Sequence, residues 1–404
     1  MGDRRGPLAG VRVVDLTALV MGPYCTQIMA DMGADVIKVE SADGDNARVI
    51  SVGPAPDMGG VFANVNRGKR SVVLDLKSPA GKAALTRLIA DADVFIHSMR
   101  SKAIARLGLD YQAVQAIRPD IVYTNCYGYS RRGPKADGAA YDDTIQAECG
   151  IPAVQAELTG QASYAGTILA DKVAGLTALY ATMMALFHKE RTGEGQEVEI
   201  GMFETMASFM LVEHANGMIF DPPLGRAVYP RAVNPERRPY RTSDGYIAVL
   251  VYNDRQWRTF FDAVQPAWRD DPRFATLAGR VAYLDELYAK LAAILAERTT
   301  EEWIALLRPA GIPVSRVNAP EDLLTDAHLE EIGFFETVDS SYGPMRFPGI
   351  PTWFGKTPGR IVRGAPGLGE HTRSVLREAG IVDTDIDALT REGVHVATES
   401  DLPC

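Results

Sequence analysis

The sequence predicts an α/β protein: a large domain built on a doubly wound parallel sheet, followed by a smaller α+β domain. Three observations carry this. Strand, helix and strand follow one another from residue 11; the alternation continues to residue 125, which calls for a parallel sheet with helices on both faces; and composition changes at Asp221, where prolines and arginines cluster. At 404 residues, 46% hydrophobic and 23% charged, the chain is long enough for two or three domains and a large core.

Residues 11–16 (VRVVDL) read as the first strand, Gly22-Pro23 opens a helical stretch to Asp31, and 34–40 is the second strand. Residues 71–76 form the next strand. A helix over 78–91 follows, with Ser78 as N-cap and Pro79 in its first turn. Strands at 94–97 and 121–125 complete the alternation. A helix then runs to His188 with Val173, Leu176, Leu179, Met183 and Phe187 as its apolar positions. Arg191-Thr-Gly-Glu-Gly195 stops it, 197–200 is a short strand, and 203–220 reads as another helix.

Residues 221–239 hold five prolines, with arginines at 226, 231, 237 and 238 and Arg241 just beyond, a composition suited to an extended crossing between domains. In the smaller unit 246–252 is a strand, and 255–264, 281–297 and 300–307 are helices, the last capped by Thr300. Residues 341–369 are again rich in Pro and Gly, and a last helix over 370–379 ends at Gly380. The expected domains are 1–220 for the N-terminal part of the large domain, 221–240 as linker, 241–335 for the small domain, and 336–404 as linker and return to the large domain.

Several function classes are argued against. A net charge of −10 disfavours wholesale nucleic-acid binding. The opening Met-Gly-Asp-Arg-Arg-Gly-Pro has no apolar core of a secretory signal, and the four cysteines (25, 126, 149, 404) are far apart, as expected of reduced thiols in a cytoplasmic protein. The apolar run 173–187 is short for a bilayer, which needs about 20 residues, so no membrane association is expected. The G-x-G-x-x-G fingerprint is missing between Thr17 and Pro23, despite Glu40 at the end of the second strand. Gly68-Lys69-Arg70 lacks the rest of a P-loop. The six histidines (97, 188, 214, 328, 371, 395) are scattered, mostly as surface or helix-end residues, so no metal and no nucleotide cofactor is expected.

The candidate for chemistry is Asp171 in Gly166-Thr-Ile-Leu-Ala-Asp-Lys-Val-Ala-Gly175, a lone carboxylate at the start of a buried helix. There the helix dipole favours its ionised form, and free backbone N–H groups suit a developing oxyanion. On pattern alone, an N-cap role fits the same residue.

Read in order, the motifs resemble the class III CoA-transferases, the family of formyl-CoA:oxalate and carnitine CoA-transferases and of α-methylacyl-CoA racemase. The resemblance rests on Pro7-Leu-Ala-Gly-Val-Arg-Val-Val-Asp-Leu-Thr17 with Gly22-Pro23, Ala30-Asp-Met-Gly-Ala-Asp-Val-Ile-Lys-Val-Glu40, Asn66-Arg-Gly-Lys-Arg-Ser71, Leu74-Asp-Leu-Lys77, Arg106-Leu-Gly-Leu109, Tyr141-Asp142, Leu169-Ala-Asp171, Arg191-Thr-Gly-Glu-Gly-Gln196, Tyr240-Arg-Thr-Ser-Asp-Gly245 and Leu368-Gly-Glu-His-Thr372. It implies a Rossmann-like large domain formed by both ends of the chain, a small domain, and two chains threaded as an interlinked-ring homodimer. It assigns Asp171 as a nucleophile that carries CoA between an acyl-CoA and a small carboxylic acid. Leu74, Lys77 and Arg106 are implied in CoA binding, with Ser98, Met99, Val20 and Met21, and Tyr141 in orienting substrate.

The sequence departs from the family where Ser98-Met99 replaces the usual Asn-Phe, where Ser41 replaces a basic residue, and where no Gly-rich lid occurs between Gly225 and Tyr240. The alternative within the family is a 2-methylacyl-CoA racemase. Its members carry a His at the position of Tyr141 and a supporting Glu at that of Asn253.

Overall fold

The computed structural model describes residues 6–391; Cys404 and His395 lie outside the described residues. The chain divides into two compact units, one made of the segments Met1–Ile151, Tyr164–Met210 and Glu331–Cys404, the other of Pro152–Ser163 and Leu211–Glu330.

The first unit is built on six strands, β1 (Arg12–Leu16), β2 (Asp35–Glu40), β3 (Arg70–Val73), β4 (Val94–His97), β5 (Val122–Tyr127) and β6 (Gln196–Gly201). They pair in the order β3-β2-β1-β4-β5-β6, and every pairing is parallel. Successive residues of β1 face opposite sides, so Val13 packs with Met29, Val36 and Ala174, whereas Val14 packs with Ile37, Leu85 and Leu376. Both faces are therefore closed, as a parallel sheet requires. The helices of this unit are α1 (Met21–Asp31), α2 (Gly60–Asn66), α3 (Pro79–Ala90), α4 (Ser101–Arg106), α5 (Tyr111–Ile117) and α6 (Asp142–Glu148); then come α7 (Ile151–Thr159), which runs into the second unit, and α8 (Leu169–Thr192). Ser78 caps α3 as its sequence suggests, accepting the Gly81 N–H at 3.0 Å with Pro79 beside it. Gly193 ends α8 in the left-handed conformation, φ +79°.

Several expectations are corrected. α8 buries its large apolar residues only in part: Val173, Leu179 and Met183 are half-buried against the core. Ala170, Ala174, Gly175, Ala178, Thr182 and Ala185 face the interior, while Leu176 and Phe187 are 44% and 65% exposed. Small residues win that face because α1 comes very close: a Cβ on Gly175 would stand 2.6 Å from the Met21 carbonyl oxygen. At 24 residues α8 is also longer than the apolar run suggested, and by length and composition alone it passes as a candidate membrane span. The helix expected over 203–220 ends at His214, and a 3₁₀ turn, Asn216–Ile219, starts at a left-handed Asn216. A hairpin of Phe335–Val338 with Met345–Pro348, and a helix Asp383–Arg391, lie where no element was expected.

The second unit packs Trp257, Phe260, Phe274, Leu291, Trp303 and Leu307 against an antiparallel three-stranded sheet, Tyr240–Arg241, Tyr246–Val249 and Val314–Arg316. The helix expected over 281–297 is two helices, Leu277–Ala282 and Leu284–Leu295, broken at Tyr283. Thr299, not Thr300, caps the helix Thr300–Leu307, in a capping box with Glu302. Thr300 is instead buried, its hydroxyl 2.8 Å from that of Thr242.

Candidate active site

Asp171 sits in the first turn of α8 as its third residue, so it is not the N-cap. That task falls to Asp142, the first residue of α6: its Oδ1 accepts the N–H groups of Ala170 at 2.6 Å and Asp171 at 3.1 Å. Gln146, one turn on, accepts the Ala165 N–H at 2.9 Å and donates to Asp142, so α6 holds both the end of α8 and the segment that leads into it. Two of the donors expected to serve an oxyanion at the start of α8 are thus already taken.

The open donors come from α1. Val20 stands at its N-cap without a side-chain capping bond, and the Met21 backbone, packed against α8 at Gly175, lies close enough to the Asp171 carboxyl to pull its pKa down. Asp171 and Gly175 lie one turn apart on the face of α8 that meets α1. The carboxyl is nevertheless pushed up to about 6, by burial first and by the Asp142 charge second, with the Met21 N–H pulling the other way. The expectation that the helix terminus holds it readily ionised is therefore reversed in sign: desolvation and a like charge outweigh the dipole. A carboxylate of that basicity is mostly ionised at pH 7 and more nucleophilic than an ordinary one.

A cavity of about 470 Å³ opens at the carboxyl ends of β1 to β4. There the strand order reverses between β1 and β4, the place where open parallel sheets bind ligands. Leu74, Lys77 and Met99 line it, together with Ala18, Asp43 and Leu107. Leu74 is buried, as its apolar contact role needs, and Lys77 is exposed with its backbone N–H on Asp75. Ser98 accepts the Ala18 N–H at 3.0 Å across the crevice. Arg106 closes α4 next to Leu107, but its Nε is folded back on the Lys102 carbonyl at 3.1 Å. Val20 instead lines a second, apolar cavity of about 960 Å³ with Tyr24, Ile168 and Lys172. Tyr141 is the N-cap residue of α6, 65% exposed, and so stands beside Asp142.

Sequence reasoning missed the groups that shape the crevice from below. His97 is fully buried, an exception to the surface or helix-end placement expected of the histidines. Its Nδ1 accepts the Met99 N–H and its Nε2 lies 3.0 Å from the Tyr123 hydroxyl, and burial holds it neutral, at about 4. Glu40 faces inward, held by Arg48 at 2.8 Å and Ser71 at 2.7 Å. Asn253, the residue compared with a racemase glutamate, caps the helix Asp254–Val264 through Gln256. Among the described residues no three His, Cys, Asp or Glu side chains gather as a metal site.

Residues 8–372 match CoA-transferase family III. The chain belongs to that family. A family III relative, the succinate–glutarate CoA-transferase of Agrobacterium fabrum, is 32% identical over 399 residues, covering 95% of this chain and 98% of its own. The formyl-CoA:oxalate CoA-transferase of Escherichia coli is 27% identical, covering 95% of this chain and 98% of its own. Among solved structures, a CAIB/BAIF family protein from Brucella suis superposes with a TM-score of 0.79 at 29% identity, covering 93% of this chain and all of that one.

Proposed function

We propose that the protein moves CoA from an acyl-CoA thioester to a free carboxylic acid through a covalent intermediate on Asp171. The observation that carries this is the Asp171 carboxyl, made more basic than usual and set against the open N-terminus of α1. An Asp171 oxygen attacks the thioester carbonyl, the C–S bond breaks, and CoA thiolate leaves a mixed anhydride. The thiolate then attacks the aspartyl carbonyl of that anhydride, releasing the donor acid and leaving an aspartyl-CoA thioester. The acceptor carboxylate runs the same steps in reverse and restores Asp171. Each tetrahedral intermediate develops an oxyanion, and the N–H groups of Met21 and Gly22 are the donors proposed to meet it.

Lys77 and Arg106 are proposed to contact the phosphates of CoA and Tyr141 to orient the acyl group. Relatives named for succinate and glutarate support a dicarboxylic acid as one partner. In the second unit a cleft of about 670 Å³ is lined by Arg231, Arg237 and Arg238, whose guanidinium groups suit a carboxylate. Leu176, Tyr180, Met184 and Phe187 form an exposed apolar stripe on α8 that a second copy of the chain is proposed to cover, as an interlinked homodimer. Racemisation lacks support here, because a phenol stands where an imidazole would be needed and Asn253 serves as a helix cap.

The test incubates purified protein with succinyl-CoA and a panel of free acids, followed by mass spectrometry. A new thioester is expected, together with a CoA adduct on the Asp171 peptide, and Asp171→Asn abolishes both. Undiminished transfer by that variant, or α-deuterium exchange into a 2-methylacyl-CoA without transfer, overturns the reading.

A further inference from the structure

The turn that leads from β1 into α1, Thr17-Ala-Leu-Val20, contains no glycine, yet Leu19 adopts the left-handed conformation at φ +65°. Leucine rarely takes that conformation unless its surroundings impose it. Here three successive residues are tied down from three directions. The Thr17 carbonyl accepts from Lys38 Nζ at 2.8 Å, the Ala18 N–H donates to Ser98 Oγ at 3.0 Å, and the Leu19 N–H donates to Asp45 Oδ1 at 3.0 Å. Lys38 and Asp45 are also bound to each other at 2.8 Å, and both side chains are shut off from solvent. Asp45 uses its remaining capacity on the Ala47 N–H at 2.9 Å. The pair therefore grips the turn on both sides of Ala18. Beyond Leu19 come Val20 and then Met21, whose backbone stands against Gly175 of α8, one turn from Asp171, and pulls the Asp171 carboxyl down.

We propose that Asp45, braced by Lys38, is a positioning residue for the reaction: by holding Leu19 left-handed it aims the first N–H of α1 at the Asp171 carboxyl. Asp45 and Lys38 lie in the wall of the crevice beside Ala18, and Asp45 reaches the Asp171 carboxyl only through the backbone of the turn. The inference rests on the assignment of Asp171 as nucleophile only for its effect on rate. Its effect on the carboxyl itself is independent of that assignment. The charged groups around Asp171 are Asp142 from α6 and Lys172 on its own helix, the latter turned to the Thr167 hydroxyl; from α1 come the Met21 N–H and Tyr24, which packs on Gly175. None of these changes in the variants below, so a displaced Met21 N–H is what they report.

Two variants approach the turn from opposite sides. Asp45→Ala removes both the acceptor of the Leu19 N–H and the partner of Lys38. Leu19→Val leaves the ion pair intact and places a β-branched side chain, which strongly resists positive φ, at a partly exposed position where folding is not at stake. In each, the pH midpoint for labelling of Asp171 by a water-soluble carbodiimide, read by peptide mass, is expected to move upward by about half a unit or more, because the carboxylate loses a donor. With the donor and acceptor pair found above, kcat is expected to fall by about tenfold to a hundredfold while the KM for acyl-CoA changes little. A wild-type midpoint and wild-type kcat in Leu19→Val overturn the proposal, as does an Asp45→Ala variant that loses thermal stability without any shift in the Asp171 midpoint. Failure of the nucleophile assignment shows separately, as transfer that survives Asp171→Asn.

Discussion

α8 and α1 both begin beside Asp171, and their first turns are treated in opposite ways. The end of α8 is closed by a carboxylate from elsewhere in the chain, Asp142, which takes two of its N–H groups. The end of α1 has Val20 at its N-cap and keeps its donors for Asp171. A capped end stabilises a helix by about 1 kcal/mol, so leaving one open has a cost that only a task can justify. The difference also separates two effects that act on one acid. Asp142 makes Asp171 more basic, and the Met21 N–H restrains it.

The contrast can be broken most severely at Gly175. Gly175→Ala sets a methyl group against the Met21 carbonyl, and because that obstacle is backbone the start of α1 must shift. A loss of about 2 kcal/mol in urea denaturation is expected, with a fall in kcat that exceeds any change in KM. Unchanged kcat with lowered stability would show that the spacing of the two helices matters for packing alone.

Removing the strained charge should stabilise the fold. The folded-state pKa of Asp171, about 6, lies above the ordinary 3.8, so ionising it opposes folding. That opposition is absent below pH 4, grows between 4 and 6, and is complete above 6. Asp171→Asn should therefore gain on the order of 1–2 kcal/mol at pH 7.5, a figure reduced for the partial solvent access of the group, and nothing at pH 3.5. Thermal melts at the two pH values decide it.

Asp142→Asn sharpens the comparison more gently. The amide oxygen still caps α8, so stability changes by less than about 1 kcal/mol, but the like charge beside Asp171 is gone. The acid limb of the transfer profile, expected to rise through about pH 6 in the wild type, should move to lower pH. An unmoved limb would assign the basicity of Asp171 to burial alone. Smallest are Lys77→Ala and Arg106→Ala, each expected to weaken acyl-CoA binding by about 1 kcal/mol or less, more at low salt than at high, with kcat retained.

The sheet could be read from the sequence because its signals are local: apolar runs such as Val94-Phe-Ile-His97 and the Ser78-Pro79 start of α3. The helix ends around Asp171 could not. The cap of α8 arrives from 28 and 29 residues upstream, and nothing in the sequence around Asp142 marks it as reaching the Ala170 and Asp171 amides. Leu19 is illegible for a related reason. Its conformation is imposed by Lys38 of β2, by Asp45 in the segment after β2 and by Ser98 just past β4, whereas propensity alone would have called for glycine. The hairpin at Phe335–Val338 escaped because its second strand, Met345–Pro348, lies in a stretch whose prolines and glycines read as coil. Among the candidate site residues, Leu74, Lys77 and Met99 meet at one cavity, while the Arg106 guanidinium is turned to its own helix.

The edge strand β3 is finished by residues that the ribosome delivers much later. Val73 donates its N–H to the Thr372 hydroxyl at 3.1 Å, the Ser71 carbonyl accepts from His371 at 2.9 Å, and the Ser71 hydroxyl accepts from Gly369 at 3.0 Å. These closures span 298 to 300 positions of the chain. During synthesis, at about 5–20 residues per second, the nascent sheet thus waits some tens of seconds with an unsealed margin. A chain stopped before Gly369 keeps every candidate catalytic group named above, yet presents the open edge of β3 to any extended peptide nearby. Premature termination in this protein should therefore be visible first as aggregation of the fragment, before any question of its catalytic competence arises.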